Sequence, residues 1–205
     1  MAKGQALTTV RPRPSFDLIA LAASAGGLAA LSEVLSALPA DFPAAIVLVQ
    51  HMAPSRRSML AEILGRRTPL TVREAQAGDR LCPGNVFVAP PDQHLLVNPD
   101  GTLSLTHTEL VHFCRPSADL LFESAAASWK DRGIAVVLTG TGSDGSLGVN
   151  AVKQMGGTVI AQDEATSEFF GMPHAAIETE SVHFVLPLSE IAARLQALVS
   201  KGRTP

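Results

Sequence analysis

Apolar runs alternate with amphipathic segments along most of the chain. Each run has six to eight residues and ends at turn-forming residues, which is typical of strands buried on both faces. The runs lie at 16–23, 44–50, 134–140, 157–162 and 182–187. Helical periodicity predicts helices at 27–38, 55–67, 115–129, 146–155 and 188–199. Pro54 and Ser55 are typical helix-start residues for the second of these helices.

The alternation of strands and helices predicts the fold class. It indicates βαβ units and therefore an α/β, doubly wound, mainly parallel sheet with helices on both faces. The segment 70–108 differs, because it contains short alternating runs and the turn sequence NPDG at 98–101, which predicts a short β-hairpin insertion. Residues 1–15 are rich in Pro and Arg and are predicted to be a flexible arm before one domain at 16–205.

Composition narrows the class of protein. Hydrophobic residues make up 46% of the 205 residues and the net charge is only −3, so we expect a compact domain that does not bind nucleic acid. The apolar stretch 18–30 is too short to span a bilayer and no secretory signal precedes it, so we expect a cytoplasmic protein without membrane insertion. Cys82 and Cys114 form no CxxC pair and are expected to be reduced.

Three polar residues follow predicted strands at the point where each strand ends. Ser24 lies in AASAGG, His51 in VLVQHM and Asp144 in LTGTGSDG. The carboxyl ends of parallel strands line one crevice, so residues far apart in the chain can meet there. Ser, His and Asp are the residues of a nucleophilic hydrolase. The sequence therefore predicts a catalytic triad at this edge of the sheet.

Each of the three residues also has an ordinary structural interpretation. Ser24 is well placed to cap the following helix, and a single histidine such as His51 is more often structural than catalytic. Asp144 suits an Asx-turn or a helix cap. Only their coincidence at three strand ends favours a common site.

A nucleotide-binding module is the alternative that the same segment supports. The residues GTGSDG at 140–145 match G-x-G-x-x-G between a strand and a helix, and Asp163 ends the next strand, where a ribose-binding acid is expected. This hypothesis uses Gly140, Gly142 and Gly145 but leaves Ser24 and His51 without a role. No cofactor and no metal are predicted for the esterase, because the other histidines share no metal-ligand spacing. They are His94, His107, His112, His174 and His183.

Several motifs in one order resemble the catalytic domain of the bacterial chemotaxis protein-glutamate methylesterase, CheB. They include ASAGG, VLVQHM, RPSADLLFES, LTGTGSDG, AQDEAT and FGMP, and the similarity extends over about 17–199. The resemblance implies hydrolysis of glutamate γ-methyl esters on methyl-accepting chemoreceptors or similar helical signalling proteins, together with deamidation of receptor glutamines. It also implies that Ser24, His51 and Asp144 form the triad. Candidate oxyanion-hole amides are those of Ala25, Gly26, Thr141 and Gly142.

The chain departs from the pattern of that family at three positions. It has Ala25 where the family usually has threonine, Thr141 where it has methionine, and Cys114 where it has histidine. A catalytically weakened signalling adaptor with the same fold is therefore a further hypothesis. Members of the family usually carry an N-terminal receiver domain, and this sequence has none. A stand-alone enzyme, control by a separate receiver protein and a piece of a longer protein all remain open.

Overall fold

A seven-stranded parallel sheet forms the centre of the molecule. The computed structural model describes residues 17–52 and 58–201. The strand order is β3-β4-β2-β1-β7-β8-β9, and every neighbouring pair in it is parallel. The strands are β1 Asp17–Ala23, β2 Ala44–Gln50, β3 Thr71–Glu74, β4 Asn85–Val88, β7 Gly133–Val137, β8 Thr158–Gln162 and β9 Phe184–Leu186. The remaining two strands, β5 His94–Val97 and β6 Leu103–Thr106, form a separate antiparallel hairpin.

Six α-helices cover the two faces of the sheet. They are α1 Gly27–Ser36, α2 Leu60–Gly65, α3 Ala118–Trp129, α4 Ser146–Gln154, α5 Gly171–Ile177 and α6 Leu188–Lys201 within the described residues. Strand β1 contributes side chains to the cores on both faces of the sheet, because alternate side chains of a strand point in opposite directions. Leu18 packs in a core with α3, α4, α5 and the hairpin. Ile19 packs in a second core with α1, α2 and α6.

The position of β1 places a crevice at the centre of the sheet. From β1 the chain adds β2, β4 and β3 on one side and β7, β8 and β9 on the other. Such a reversal of strand order opens a crevice outside the carboxyl ends of the strands, where α/β proteins bind ligands. The three strands that meet here, β2, β1 and β7, are the ones that precede His51, Ser24 and Asp144.

The predicted fold class is confirmed, and three local predictions need correction. The helix predicted at 55–67 begins only at Leu60 and ends at Gly65, while residues 53–57 lie outside the described part of the chain. Helix α5 was not predicted, because Gly171 and Pro173 are residues that usually interrupt helices. In the segment 70–108 only β5 and β6 form a hairpin, since β3 and β4 join the main sheet. The predicted arm at 1–15 lies outside the described residues.

The model contains no helix that could cross a bilayer, as far as the chain is described. Its helices are too short or too polar for that.

Candidate active site

Strand register places Ser24 beside His51. Ala23 of β1 pairs with Gln50 of β2, so the next residue on each strand leaves the sheet at the same level. The backbone N–H of His51 donates to the carbonyl of Ala23 at 3.0 Å, which holds the two strand ends together. On its other side, the N–H of Ser24 donates to the carbonyl of Thr139 at 3.0 Å, just past β7. Ser24 therefore lies between the strand ends that carry His51 and Asp144.

The hydroxyl of Ser24 is not used to cap the helix that follows. The N-cap of α1 is Gly26, whose φ of 76° is left-handed, and no side chain caps this helix. The carbonyl of Ser24 accepts hydrogen bonds from Gly27 N at 2.9 Å and from Gln50 Nε2 at 2.7 Å. In the described part of the chain the Ser24 hydroxyl forms no hydrogen bond, so it is available for chemistry. The capping interpretation of Ser24 is thus wrong.

Two glycines allow the backbone to pack closely around Ser24. A Cβ atom on Gly27 would lie 2.7 Å from the Cβ of Ala23 and would also collide with Gln50. A Cβ atom on Gly140 would lie 2.7 Å from the Cβ of Ser24. Real Cβ atoms do not approach other atoms so closely, so both positions require glycine for space.

The structure brings His51 and Asp144 into direct contact. Nε2 of His51 lies 2.7 Å from Oδ2 of Asp144, although the two residues are 93 positions apart in the chain. Asp144 is buried, with 3% of its surface exposed, and His51 is partly buried. This contact is the one a catalytic histidine needs in order to be held in a fixed orientation.

The carboxylate of Asp144 is held by the start of helix α3. Oδ1 accepts hydrogen bonds from the Ser117 hydroxyl at 2.8 Å and from Asp119 N at 3.1 Å, and Oδ2 accepts one from Ala118 N at 2.7 Å. Asp144 therefore binds the N-terminus of a helix, as its alternative interpretation proposed, but the helix belongs to another part of the chain. Because these donors also fix its orientation toward His51, capping and a catalytic role coexist at this residue.

Opposing effects set the protonation of the His51–Asp144 pair. Burial of the imidazole lowers the pKa of His51, but hydrogen bonds to Asp144 and Cys114 outweigh it and raise that pKa to about 9. Burial raises the pKa of Asp144, while the hydrogen bonds from His51 and Ala118 overcome this effect and hold it below its usual value. Both shifts favour an imidazolium–carboxylate pair at neutral pH.

Cys114 lies on the opposite side of the imidazole from Asp144. Its Sγ is 3.8 Å from Nδ1 of His51 and 3.4 Å from the carbonyl of His112, to which the thiol donates. Since Asp144 occupies Nε2, Nδ1 is the ring nitrogen left to accept a proton from a nucleophile. Sequence reasoning identified Cys114 as a departure from the family pattern but did not place it at the site. A single cysteine before Arg115 carries no local signal for that position.

Two cavities adjoin this group of residues. The first has a volume of about 360 Å³ and is lined by His51, Met52, Asp92, Leu110, Phe113, Cys114 and Arg115. The second, about 380 Å³, lies on the Ser24 side and includes Gly26, Gln50, Arg67 and Glu168. The backbone N–H groups of the predicted oxyanion-hole residues, Ala25, Gly26, Thr141 and Gly142, donate no hydrogen bond to another described residue. They are therefore free to bind a developing negative charge.

The residues that a bound nucleotide would use, Asp163 and the glycine-rich turn at 140–145, already make contacts within the protein. Oδ1 of Asp163 accepts hydrogen bonds from the N–H and the hydroxyl of Thr166, at 3.0 and 2.6 Å. The glycine-rich turn contributes Asp144 to His51 and α3, and a carboxylate there disfavours a phosphate. These contacts weigh against a dinucleotide at this turn.

The remaining histidines each contact a neighbour of their own. His94 accepts from Ser117 N, His107 pairs with Asp92, His112 with Asp119, His174 with Glu178, and His183 accepts from Val159 N. Among the described residues, the potential metal-ligand atoms that do converge belong to His51, Cys114 and Asp144, and they all lie within 4.8 Å of one another. The sequence prediction did not foresee this group.

A comparison with protein families agrees with the geometry. The model of the family described as CheB methylesterase matches residues 19–195 of this chain. The chain belongs to the CheB methylesterase family. Among curated relatives, a protein-glutamate methylesterase/protein-glutamine glutaminase of Moorella thermoacetica is 44% identical over 92% of the chain. Protein-glutamate methylesterase FrzG of Myxococcus xanthus is 43% identical over 95% of it.

A solved structure of the same family shares the fold of this chain. The CheB methylesterase catalytic domain of Thermotoga maritima aligns with a TM-score of 0.87 and 40% identity, covering 91% of this chain and all of that one. The chain spans 45% of the length of the Moorella protein and 58% of FrzG, so it corresponds to about half of such relatives. The resemblance expected from the sequence motifs is therefore confirmed for the catalytic domain.

Proposed function

We propose that this domain is a protein-glutamate methylesterase that uses Ser24, His51 and Asp144. The substrate is the γ-methyl ester of a glutamate side chain on a methyl-accepting chemoreceptor or a similar helical signalling protein. The observation that carries the proposal is the 2.7 Å contact between His51 and Asp144, together with the position of Ser24 at the end of the strand next to that of His51. Membership of the CheB methylesterase family supports the choice of substrate.

The reaction proceeds through an acyl-enzyme. Nδ1 of His51 takes the proton of the Ser24 hydroxyl as the oxygen attacks the ester carbonyl, and the carboxylate of Asp144 stabilises the imidazolium that forms. The imidazolium then protonates the leaving methoxide, so methanol departs. Water, activated by the same imidazole, hydrolyses the glutamyl-serine ester and releases the glutamate carboxylate. Deamidation of glutamine follows the same steps, with ammonia as the leaving group.

The two strand-to-helix turns supply donors for the tetrahedral intermediate. The amides of Ala25 and Gly26 follow the nucleophile directly, and those of Thr141 and Gly142 lie after the neighbouring strand. Loss of one oxyanion-hole donor typically costs about 10²–10³ in rate. The positive N-terminus of α1 adds to the stabilisation of an oxyanion near Ser24.

An apolar surface next to His51 fits a helical protein partner. Phe113 is 95% exposed and Leu110 is 53% exposed, and both line the cavity that contains His51. Apolar side chains grouped at a site usually bind a partner. A receptor helix could place its apolar face there while its methylated glutamate reaches Ser24.

The test is methanol release from methylated chemoreceptor membranes. We expect Ser24→Ala to reduce the rate on the order of 10⁴-fold or more, because it removes the nucleophile. Ser36→Ala is the matched control, since Ser36 is exposed and, among the described residues, its hydroxyl bonds only to the carbonyl of Glu33. A folded wild-type protein without methanol release would contradict the esterase and favour the signalling adaptor. Ammonia release from receptors with glutamine at the same sites tests the deamidase activity.

A further inference from the structure

Cys114 completes a second nucleophile arrangement around His51. The imidazole has Asp144 at Nε2, at 2.7 Å, and the thiol of Cys114 at Nδ1, at 3.8 Å. A thiol, an imidazole and a carboxylate in this order form the arrangement of a cysteine hydrolase. The cysteine is therefore not isolated, because it contacts a histidine whose orientation is fixed by Asp144.

The backbone around Cys114 holds the thiol in this position. Residues 111–114 form a tight turn, in which Val111 and Cys114 exchange backbone hydrogen bonds of 3.2 and 2.8 Å. His112 and Phe113 at its centre both have positive φ, as a two-residue hairpin turn requires. Nε2 of His112 lies 3.2 Å from Oδ2 of the buried Asp119, so one side of the turn packs against helix α3.

The residue after Cys114 is also held firmly. Arg115 donates through Nε and Nη2 to Oδ1 of Asp92, at 2.8 and 2.6 Å, and through Nη1 to the carbonyl of Thr108 at 2.6 Å. The thiol thus has ordered backbone on both sides. Such positioning is what a reactive group needs, because a small displacement from its base is costly.

We propose that Cys114 is a modification site: its sulfur, held beside the His51 imidazolium, attacks soft carbon electrophiles that enter the adjoining cavity. With iodoacetamide, the S–H proton leaves to water and the sulfur forms a bond to the methylene carbon. The carbon–iodine bond breaks, iodide leaves, and a carbamidomethyl thioether remains. No oxidant or reductant is required.

The adduct also blocks esterase chemistry. Cys114 lines the same cavity of about 360 Å³ as His51, and the new group occupies the space next to Nδ1. Ser24 needs that nitrogen as its base, so the two nucleophiles compete for one histidine. This consequence rests on the proposed function, whereas the reactivity of Cys114 does not. Esterase activity is therefore not the primary measurement.

Cys82 provides an internal reference for the reactivity of Cys114. It is exposed and Cys114 is only partly so, so exposure alone would make Cys82 the faster thiol. The thiolate is the reactive form of a cysteine, and a cationic imidazole next to the sulfur stabilises it and so increases the rate of attack. Part of that gain is lost, because a stabilised thiolate is a weaker nucleophile. We expect iodoacetamide to modify Cys114 about tenfold faster than Cys82 at pH 7.

The experiment measures both rates by peptide mass spectrometry, with a chelator present to remove metal ions. In His51→Gln the ratio should fall to one or below, provided circular dichroism shows a folded protein. Equal or slower modification of Cys114 in the wild type would overturn the proposal, whether or not the variant folds. So would an unchanged ratio in folded His51→Gln.

The second arm follows esterase activity during modification. Wild type and Cys82→Ala should lose activity in step with modification of Cys114, whereas Cys114→Ala should keep the activity it starts with. Modification of Cys114 without loss of methanol release would leave the reactive thiol established and overturn the blocking step. A protein without esterase activity but with the tenfold ratio would contradict the proposed function alone.

Discussion

The pH dependence of the esterase follows from the contacts of His51. Only the neutral imidazole can accept the proton of Ser24, and burial lowers its pKa while the contacts with Asp144 and Cys114 raise it to about 9. At pH 7 about one imidazole in a hundred is then neutral. We expect kcat/KM to rise about tenfold per pH unit from pH 6 and to level off near pH 9.

Replacement of Cys114 tests the cause of this shift. The hydrogen bond and the electrostatic interaction with Cys114 both favour the imidazolium, so Cys114→Ala should lower the pKa of His51. The ascending limb of the pH profile should move to lower pH, and activity at pH 7 should increase relative to the plateau. Cys82→Ala should leave the limb unchanged, because Cys82 is exposed and does not line the site.

The assay is methanol release from methylated receptor membranes between pH 6 and pH 10. Subtraction of the Ser24→Ala rate removes the contribution of hydroxide. Titration of the His51 ring signals by NMR gives the same pKa without catalysis. The other charged residues that line the cavity should affect the titration of His51 little, because Arg115 and Asp92 form an ion pair with each other. A limb near pH 6.5 that Cys114→Ala does not move would refute this account of the site.

Further predictions concern the residues that hold Ser24 and the His51–Asp144 pair in position. Ser117→Ala removes the hydrogen bond to Oδ1 of Asp144 and should lower the free energy of unfolding by about 1–2 kcal/mol in urea melts; an unchanged midpoint would contradict a supporting role. Gly27→Ala should distort the turn at Ser24, since its Cβ would collide with Gln50, and should reduce methanol release more than Gly65→Ala, whose Cβ would meet Val72 at an ordinary contact distance of 3.7 Å. The pKa of Asp144 is lowered in the folded state, so its stabilisation is present above the unfolded pKa and is lost as pH falls. The urea midpoint should therefore drop between pH 6 and pH 3 by more in the wild type than in Asp144→Asn.

The sequence predicted the sheet well because its central strands are buried on both faces. Continuous apolar runs leave little choice of structure, and β2 Ala44–Gln50 has the predicted bounds. Helix α5 could not be predicted, because its stability comes from the burial of Met172 and Ala176 in the core rather than from propensity. Tertiary packing of this kind overrides the local signals of glycine and proline.

The sequence predicted the residues of the candidate site but not the contacts among them. Strand ends located Ser24, His51 and Asp144, and their joint catalytic role stays a prediction. The sequence could not indicate which nitrogen of His51 faces Asp144, since that depends on how α3 docks on the sheet. The contribution of Ser117 and the position of Cys114 have the same origin. Both belong to the segment around α3, which approaches the site from outside the parallel strands.

The distance in sequence between His51 and Asp144 has a consequence for how the protein is made. The two residues are 93 positions apart, and the strands between them belong to both the sheet and the hairpin. During synthesis, Ser24 and His51 emerge early, but His51 has no Asp144 to orient it until β7 has inserted next to β1. Contacts of such long range form late, because the loop between them must close first. A nascent chain should therefore remain inert, and the appearance of a reactive imidazole marks the moment when both halves of the sheet have joined.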